Sequence, residues 1–275
     1  MTASRAGVRR VIPLTLGWQH LPKSVSVRGA DPSIRMREPV PGILLEVDGG
    51  WFLLDAGFNA PFLVDRPLVE RYAQPGQHDE LPVGEGDPME IAFRTVGVDL
   101  DDVVAVGLSH LHYDHAGGIR FFAGKAPMFV QQRELTHGMD DAVSAQSSAF
   151  HRIDYDDPRI DWRLSDGDVE LAPGITAIAT YGHTPGHQSF VVDLAATPER
   201  PDGGGFVFAF DAADLQENVD DELAPGYFAG DEEQAIESIR RLKAIAREKG
   251  YRVIPGHDPD VWPAFTAEMG VPGPT

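Results

Sequence analysis

Four short apolar segments of this chain each end at a histidine or an aspartate that lies in a glycine-containing loop. The segments are 103–108, 175–181, 205–210 and 251–254. Their sequences indicate β-strands, and loops that follow the strands of a rigid sheet are where proteins hold reactive side chains precisely. The recurrence therefore predicts a functional site that is assembled from several strand ends.

The first of these loops, SHLHYDHAGG at 109–118, contains a dense cluster of potential metal ligands. They are His110, His112, Asp114 and His115. One metal ion cannot easily take all of them from so short a segment, whereas two neighbouring ions can share them. Imidazole and carboxylate ligands suit Zn²⁺, with Mn, Fe or Co as further options. The cluster therefore predicts a dinuclear metal site.

Composition limits the partners that a chain like this can have. It has 275 residues, no cysteine and a formal net charge of −20 at pH 7. The lack of cysteine excludes disulfides and thiolate metal sites. A surface this acidic repels phosphate groups, so we expect neither nucleic acid nor an anionic membrane as a partner. No apolar run approaches the roughly 20 residues of a membrane span, and the N-terminus favours a first strand over a signal peptide. We expect a cytoplasmic protein.

Hydrophobic patterns and turn residues predict most of the regular elements. Two apolar runs around Asp48-Gly49-Gly50 predict a hairpin over 42–57. Helices are predicted over 88–97 and 231–250, the second with a buried stripe of Ile236, Ile239, Leu242 and Ile245. Further strands are predicted over 101–110, within 126–135, three times within 166–194, and over 204–214 and 251–258. We expect one domain over 1–275, with irregular insertions near 58–86 and 137–163.

The HLHYDH segment matches the HxHxDH signature of the metallo-β-lactamase superfamily, and the later metal ligands of that superfamily follow in order along the chain. They are His183 in YGHTPGH, Asp211 in AFDAAD and His257 in PGHD. The chain resembles this superfamily from the LLDAG that ends the hairpin to the closing PGHD. The resemblance implies an α/β fold, a four-layer αβ/βα sandwich with its site at one edge of two sheets.

The resemblance also implies how the ligands divide between two metal ions. By the family pattern, one ion is held by His110, His112 and His183, the other by Asp114, His115 and His257, and Asp211 bridges them. His112 stands where some redox members carry an acidic residue. The chain therefore resembles the hydrolytic members.

Within the superfamily the chain is most similar to the N-acyl homoserine lactonases. The similarity is carried by SHLHYDHAGG, GHTPGHQS, ENVDDELAPG, AIESIRRLKAI and the closing GHD. It implies a quorum-quenching enzyme that opens a lactone to a hydroxy acid with two Zn²⁺ ions and no organic cofactor. A water that bridges two divalent ions loses a proton near neutral pH and attacks the carbonyl. Asp114 is the candidate that carries the proton to the departing oxygen.

One position departs from the lactonase pattern. The lactonases usually carry a tyrosine three positions after the bridging aspartate, where it contacts the substrate carbonyl, but this chain has Asp214. An ionised carboxylate cannot donate a hydrogen bond. Either another group takes that role, with Tyr155 and Tyr227 as candidates, or the substrate differs.

Other residues are candidates for supporting roles. Asp55 could accept a hydrogen bond from a ligand imidazole or simply cap a turn. His187, in the loop of His183, could orient its neighbours or make a structural hydrogen bond. Five aromatic residues could line an acyl pocket or simply fill the core: Trp18, Trp51, Phe121, Phe122 and Trp162. Four lone histidines are expected outside the site: His20, His78, His137 and His151.

Three functions stay open on the sequence. The first is a lactonase that acts on a small lactone or ester, for which a homodimer is one possible assembly. The second is a glyoxalase-II-like thioesterase, which would want a basic cluster such as Lys243, Arg247 and Lys249, although these residues have ordinary helix-surface spacing. The third is a non-catalytic metal-bound scaffold, which the presence of all seven ligands disfavours.

Overall fold

Two β-sheets form the centre of the fold, in a computed structural model that describes residues 7–72, 78–198, 200–227 and 229–272. The strands of the first sheet are β1 Val11–Pro22, β2 Arg35–Val47, β3 Gly50–Leu54, β4 His78–Glu80, β5 Val103–Gly107, β6 Pro127–Gln131 and β7 Asp161–Ser165. Their order across the sheet is β4-β1-β2-β3-β5-β6-β7. The strands of the second sheet are β8 Val169–Ala172, β9 Ile175–Ala179, β10 Gln188–Asp193, β11 Gly205–Phe210 and β12 Arg252–Pro255. Their order is β12-β11-β10-β9-β8.

Helices cover the outer faces of the sheets and occupy the connections. They are α1 Lys23–Ser26, α2 Pro61–Val64, α3 Arg66–Tyr72, α4 Pro88–Val96, α5 Tyr113–Ala116, α6 Gln132–Gly138, α7 Asp141–Gln146, α8 Arg152–Tyr155, α9 Gln216–Asp221, α10 Glu232–Lys249 and α11 Val261–Glu268. Two 3₁₀ turns lie at Leu100–Asp102 and Gly117–Phe121. Among the described residues, no helix combines the length and the apolar character that crossing a membrane requires.

The core has three apolar layers, and these define the architecture. Between the two sheets, Phe52 of β3 meets Phe190 of β10 and Phe208 of β11. On the outer face of the first sheet, the apolar side of α4 packs against strand residues, and on the outer face of the second sheet α10 does the same. Each sheet therefore buries both faces, which maximises the apolar area removed from water. The predicted four-layer αβ/βα sandwich is confirmed.

Strand direction brings the functional loops to one edge. β3, β5, β6 and β7 run parallel, so the loops that follow β3 and β5 leave the first sheet at the same end. In the second sheet, β11 and β12 are also parallel, and the loop between the antiparallel strands β9 and β10 contains His183. Because the carboxyl ends of neighbouring parallel strands meet at one edge, the predicted assembly of a site from strand ends is realised.

Most predicted elements form where the sequence places them. The hairpin turns at Asp48 and Gly49, where Val47 pairs with Gly50. Asp231 caps the start of helix α10, where its carboxylate accepts the backbone N–H of Gln234 at 2.9 Å, and Gly250 caps the end in the left-handed conformation, with φ of 70°. Its buried face differs from the predicted stripe. Ile236 and Ile245 are only partly buried, while smaller residues complete the contact: Ala235, Ser238 and Ala246.

The two segments expected to be irregular contain regular structure. Segment 58–86 contains α2, α3 and β4, and β4 extends the first sheet by pairing with β1. Segment 137–163 contains α7, α8 and the start of β7, which pairs with β6. These elements are short, so no periodic pattern marks them in the sequence. Helix α11 was also not expected. Residues 1–6, 73–77, 199, 228 and 273–275, which the single-domain prediction includes, lie outside the described residues.

A buried carboxyl group joins α8 to the segment after β3. Asp154 Oδ1 accepts a hydrogen bond from Asn59 Nδ2 at 2.6 Å, and Oδ2 has no hydrogen-bond partner among the described residues. Burial raises the pKa of this carboxyl from 3.8 to about 7. Asp154 therefore keeps its proton in the folded protein at pH values where the unfolded chain has already released it. The contribution of this group to the free energy of unfolding is fully present below the unfolded pKa of 3.8. It is lost as the pH rises through the folded pKa of about 7.

We predict that Asp154→Asn removes this pH dependence. Between about pH 4 and 7, the free energy of unfolding of the parent protein should fall relative to that of the variant by on the order of a few kcal/mol. Urea denaturation of both proteins at several pH values, after metal removal with a chelator, measures the difference. Parallel pH profiles would show that Asp154 has the same pKa in the folded and the unfolded protein, which would contradict the prediction.

Candidate metal centre

Asp211 lies at the end of β11, on a backbone that the fold holds in an unusual conformation. Phe210, directly before it, has φ of 49°, in the left-handed region that bulky residues rarely adopt. The chain after β12 packs closely against this point, since a Cβ on Gly256 would lie 2.8 Å from the carbonyl carbon of Phe210. The backbone N–H of His257 donates to the carbonyl of Asp214 at 2.8 Å. These contacts bring Asp211 and His257 together.

The ligand loop after β5 is equally tightly packed. His112 directly precedes α5, which contains Asp114 and His115. A Cβ on Gly117 would lie 2.0 Å from the backbone nitrogen of Asn59, so only glycine fits there. Gly117 itself has ordinary right-handed backbone angles, with φ of −63°. Gly117 and Gly118 therefore permit close packing against the loop after β3.

The structure divides the candidate ligand atoms into two sets, with Asp211 between them. In the first set, His112 Nδ1 and His183 Nε2 are 3.0 Å apart. Asp211 Oδ2 lies 3.3 Å from His183 Nε2 and 3.7 Å from His110 Nε2. These four residues offer ligand atoms that all lie within 4.8 Å of one another.

The second set lies around the other oxygen of the same carboxylate. Asp211 Oδ1 is 3.0 Å from His257 Nε2 and 3.1 Å from His115 Nε2. His115 Nε2 in turn lies 3.3 Å from Asp114 Oδ2. One carboxylate thus faces both sets, one oxygen to each, as a bridging ligand would.

These separations fit two metal ions. Ligand atoms about 2.0–2.1 Å from a tetrahedral zinc ion lie roughly 3.3 Å from one another. The pairs that face each other within each set lie between 3.0 and 3.7 Å apart. The Nε2 atoms of His110 and His115 are buried without a hydrogen-bond partner among the described residues. Buried nitrogens of this kind need a partner, and a cation in each set would supply it.

The electrostatics of the two sets also favour cations. Burial, reinforced by the neighbouring imidazoles, holds the pKa of His110 and of His112 well below the ordinary value, so both rings are neutral, which is the form that binds metals. In the second set, burial opposes the charged form of His257, but Asp211 outweighs it and raises its pKa to about 10. The carboxylate therefore stabilises positive charge at this position, whether a proton or a metal ion carries it.

A hydrogen-bond network behind the ligands orients them. Asp55 accepts a hydrogen bond from His115 Nδ1 at 2.7 Å and two more from the backbone and hydroxyl of Ser109, at 2.7 and 2.6 Å. The Ser109 hydroxyl also lies 2.9 Å from His110 Nδ1. With Nδ1 of both rings engaged, Nε2 faces the centre. Asp55 thus takes the imidazole-orienting role that the sequence left open against a simple turn cap.

Glu134, which sequence reasoning missed, links two ligand loops. Its buried carboxyl accepts the backbone N–H of Leu111 at 3.0 Å, the Thr184 hydroxyl at 2.7 Å and the backbone N–H of Gly186 at 3.1 Å. Burial raises its pKa to about 7.

His187 in the second loop bonds Thr180 Oγ1 through Nδ1 at 2.9 Å, and its ring lies 5.2 Å from that of His110. The structural hydrogen bond expected for His187 is confirmed.

A cavity of about 280 Å³ opens over the ligand cluster. Its floor contains ligands from both sets: His112, Asp114, His183, Asp211 and His257. The lining also includes four apolar residues: Leu21, Pro22, Val25 and Ala149. Tyr227 lies in the cavity with its side chain 38% exposed, and its ring is 5.7 Å from that of His112.

Several candidate substrate contacts lie elsewhere. Tyr155 is only 1% exposed and donates its hydroxyl to the carbonyl of Gly138 at 2.9 Å, so it does not line the cavity. The aromatic residues proposed for an acyl pocket are also absent from the cavity lining, because they pack in or against the core or lie beneath a surface arginine: Trp18, Trp51, Phe121, Phe122 and Trp162. The sequence left a pocket role and a core role open for these residues, and the structure supports the core role, most clearly for Trp51 and Phe122. The four lone histidines lie outside both ligand sets, as expected: His20, His78, His137 and His151.

Two carboxyl groups complete the cavity lining beside the ligands. Asp214 is buried there, and burial, Asp211 and Glu38 together hold its pKa well above the ordinary value. Glu38 was missed by sequence reasoning, and burial raises its pKa to about 7. The only hint in the sequence is a charged residue at the start of the apolar run in β2.

Comparisons with known proteins agree with this geometry. The model of the metallo-beta-lactamase superfamily matches residues 36–257. N-acyl homoserine lactonase AttM of Azorhizobium caulinodans is 31% identical over 254 residues, covering 88% of this chain and 89% of the relative. N-acyl homoserine lactonase AiiA of Bacillus thuringiensis subsp. kurstaki is 32% identical, covering 82% and 84%.

A solved structure of similar fold carries a bound product. It is an N-acyl homoserine lactone hydrolase with N-hexanoyl-L-homoserine at its catalytic metal centre, and it superposes with a TM-score of 0.77 at 27% identity, covering 92% of this chain and 95% of that one. The shared ligand pattern, the two-sheet sandwich and these matches lead to one conclusion. The chain belongs to the metallo-β-lactamase superfamily, and its relatives include N-acyl homoserine lactonases.

Proposed function

We propose that this protein is a metal-dependent hydrolase that opens the ring of N-acyl homoserine lactones, a quorum-quenching activity. The observation that carries the proposal is the Asp211 carboxylate, which faces two sets of buried ligand atoms at the floor of a cavity. The relatives named as homoserine lactonases, and the neighbour with a homoserine product at its metal centre, support the substrate class.

Two Zn²⁺ ions per chain are the proposed cofactors, with Mn, Fe or Co as alternatives. The residues of the first set would hold one ion, those of the second set the other, and Asp211 would contact both. When bound, such a pair of divalent ions supplies a water of lowered pKa as the nucleophile and polarises the substrate carbonyl.

In this proposal, Asp114 moves the proton that the reaction requires. Its carboxylate is buried, lines the cavity and lies 3.3 Å from His115 Nε2. Ring opening forms a bond between the water oxygen and the carbonyl carbon and breaks the bond from that carbon to the ring oxygen. Asp114 takes the proton that the water loses and delivers it to the departing ring oxygen. The product is a hydroxy acid, and atoms balance with water as the only co-reactant.

The cavity walls position the rest of the substrate. Leu21, Pro22, Val25 and Ala149 offer an apolar surface for an acyl chain. Three of these residues belong to the end of β1 and to α1, and the Tyr227 backbone N–H donates to the carbonyl of Val25 at 2.8 Å, which holds this segment in place. The wall is therefore preorganised, which reduces the entropic cost of binding.

The thioesterase alternative gains no support from the candidate basic cluster. Lys243 pairs with Glu222 at 3.1 Å and Lys249 pairs with Asp193 at 2.8 Å. These lysines lie on α10, which packs on the outer face of the second sheet, and they do not line the cavity. The homodimer and the cytoplasmic location stay predictions.

We predict that zinc-loaded protein hydrolyses N-hexanoyl homoserine lactone to the hydroxy acid faster than it hydrolyses a thioester or a β-lactam. Mass spectrometry of the products near neutral pH, corrected for spontaneous lactone opening in buffer, measures the rates. Asp211→Asn should lose the activity, because an amide cannot offer a charged oxygen to both ligand sets. Turnover of the thioester without turnover of the lactone would overturn the proposed substrate class.

We predict that Asp114→Asn lowers kcat far more than it raises KM. Loss of a proton-transfer group typically lowers the rate by about 10²–10⁴-fold, and the remaining amide oxygen can still occupy the same space. Steady-state kinetics together with elemental analysis separate this effect from metal loss. Asp48→Asn is the matched control, since its side chain is 99% exposed. A near-normal kcat with an unchanged metal content would remove Asp114 from proton transfer.

A further inference from the structure

Asp214 has a free acceptor that points to a ligand. Its side chain lines the cavity and is only 5% exposed, yet Oδ1 accepts no hydrogen bond from any described residue. One of its carboxylate oxygens lies within 4.8 Å of the ligand atoms of Asp211 and His257. A buried acceptor without a partner is costly. A substrate that brings a donor to this point removes the cost.

Glu38 adds a second carboxyl group to the lining of the same cavity. It is 1% exposed and accepts a hydrogen bond from the Ser26 hydroxyl at 2.6 Å, and its charge contributes to the raised pKa of Asp214. Ser26 belongs to α1, whose position is fixed by Asn218 Nδ2 donating to the Ser26 carbonyl at 3.0 Å. The two carboxyl groups, which we name the acceptor wall, are thus held in place by the fold.

The chemistry of the acceptor wall matches one kind of substrate group. A carboxyl group can accept a hydrogen bond whether or not it is ionised, and hydrogen bonds from an N–H that carries a positive charge are the strongest. Because a carboxylate oxygen of Asp214 lies within 4.8 Å of the ligand atoms of Asp211 and His257, a substituent on the ring carbon next to a lactone carbonyl that faces the ligand cluster can reach it.

We propose that Asp214 and Glu38 select lactones that carry an N–H donor, above all a primary ammonium, on the carbon next to the ring carbonyl. The inference rests on the proposed function, because the lactone carbonyl must face the ligand cluster for its neighbour to face Asp214. N-acyl homoserine lactones carry an amide N–H at this carbon. The acceptor wall predicts that lactones with a free amine there bind better still.

A role for Asp214 as a further metal ligand is the competing explanation. The second ligand set already offers four donors without it: Asp114, His115, His257 and Asp211. Glu38 belongs to no group of potential ligands among the described residues. A role in metal binding would therefore leave Glu38 unexplained, whereas donor recognition uses both carboxyl groups.

Binding of two lactams that resist hydrolysis tests the proposal. Isothermal titration of zinc-loaded protein compares α-amino-γ-butyrolactam with γ-butyrolactam, which differ only in the amine. The amine should tighten binding by about 10- to 100-fold, the range for a hydrogen bond to a charged group. Asp214→Asn should remove most of this preference, with zinc content unchanged by elemental analysis, and Glu38→Gln should reduce it. Asp220→Asn, an exposed position on α9, is the control.

Other outcomes overturn the proposal. Equal affinity of the parent protein for the two lactams, or a preference that survives both substitutions, would show that the acceptor wall does not recognise the amine. Loss of zinc from Asp214→Asn would assign that residue to metal binding instead. If Asp214→Asn does not fold, Glu38→Gln alone still decides, because an unchanged preference contradicts the proposal.

A kinetic comparison separates this inference from the proposed function. The ratio of kcat/KM for α-amino-γ-butyrolactone over γ-butyrolactone should fall by about 10-fold or more in Asp214→Asn. Comparing the variant with the parent protein cancels the intrinsic reactivity of the two lactones. If the parent protein opens no lactone but still prefers the amino-lactam, the proposed function fails. If the parent protein opens both lactones and the kcat/KM ratio is unchanged in Asp214→Asn, the proposed function stands and only the inference about the acceptor wall is contradicted.

Discussion

The carboxylate of Asp211, set between two groups of buried imidazoles, is the interaction on which the site depends. Its oxygens lie 3.0 and 3.1 Å from two ring nitrogens on one side and 3.3 and 3.7 Å from two on the other. A buried carboxylate surrounded by imidazole nitrogens is stable only when a positive charge, carried by a proton or a metal ion, lies among these groups. The rest of the site follows from the need to hold that charge in place.

The fold supplies this arrangement through backbone conformations that cost free energy. Phe210 and Asp55, at the ends of β11 and β3, both have positive φ, of 49° and 54°. The conformation of Phe210 directs the carboxylate of the next residue, Asp211, toward the ligand imidazoles. The conformation of Asp55 directs its own carboxylate toward them. Strain of this kind persists only where the surrounding structure over-determines it, and the close approach of Gly256 to Phe210 is one such constraint. Rigid strand ends then hold the ligands more precisely than free loops would.

Spacing predicts the four candidate ligands in the loop after β5, and the family resemblance predicts the other three. The supporting residues depend instead on contacts between distant parts of the chain. Glu134 bonds Leu111, Thr184 and Gly186, which no local pattern connects. An aromatic side chain in the sequence does not reveal whether it lines a pocket or packs in the core. Trp51 was a candidate for the pocket, but it packs in the core. The short helices between 58 and 86 were missed because their few turns show no period.

Anomalous diffraction at the zinc edge, from crystals of protein purified with Zn²⁺, tests the central role of Asp211 most directly. The account predicts two peaks, one beside each oxygen of the Asp211 carboxylate. The first should contact His110, His112 and His183, and the second Asp114, His115 and His257. A single peak at full zinc loading, or two peaks with Asp211 contacting only one of them, would contradict the bridging arrangement.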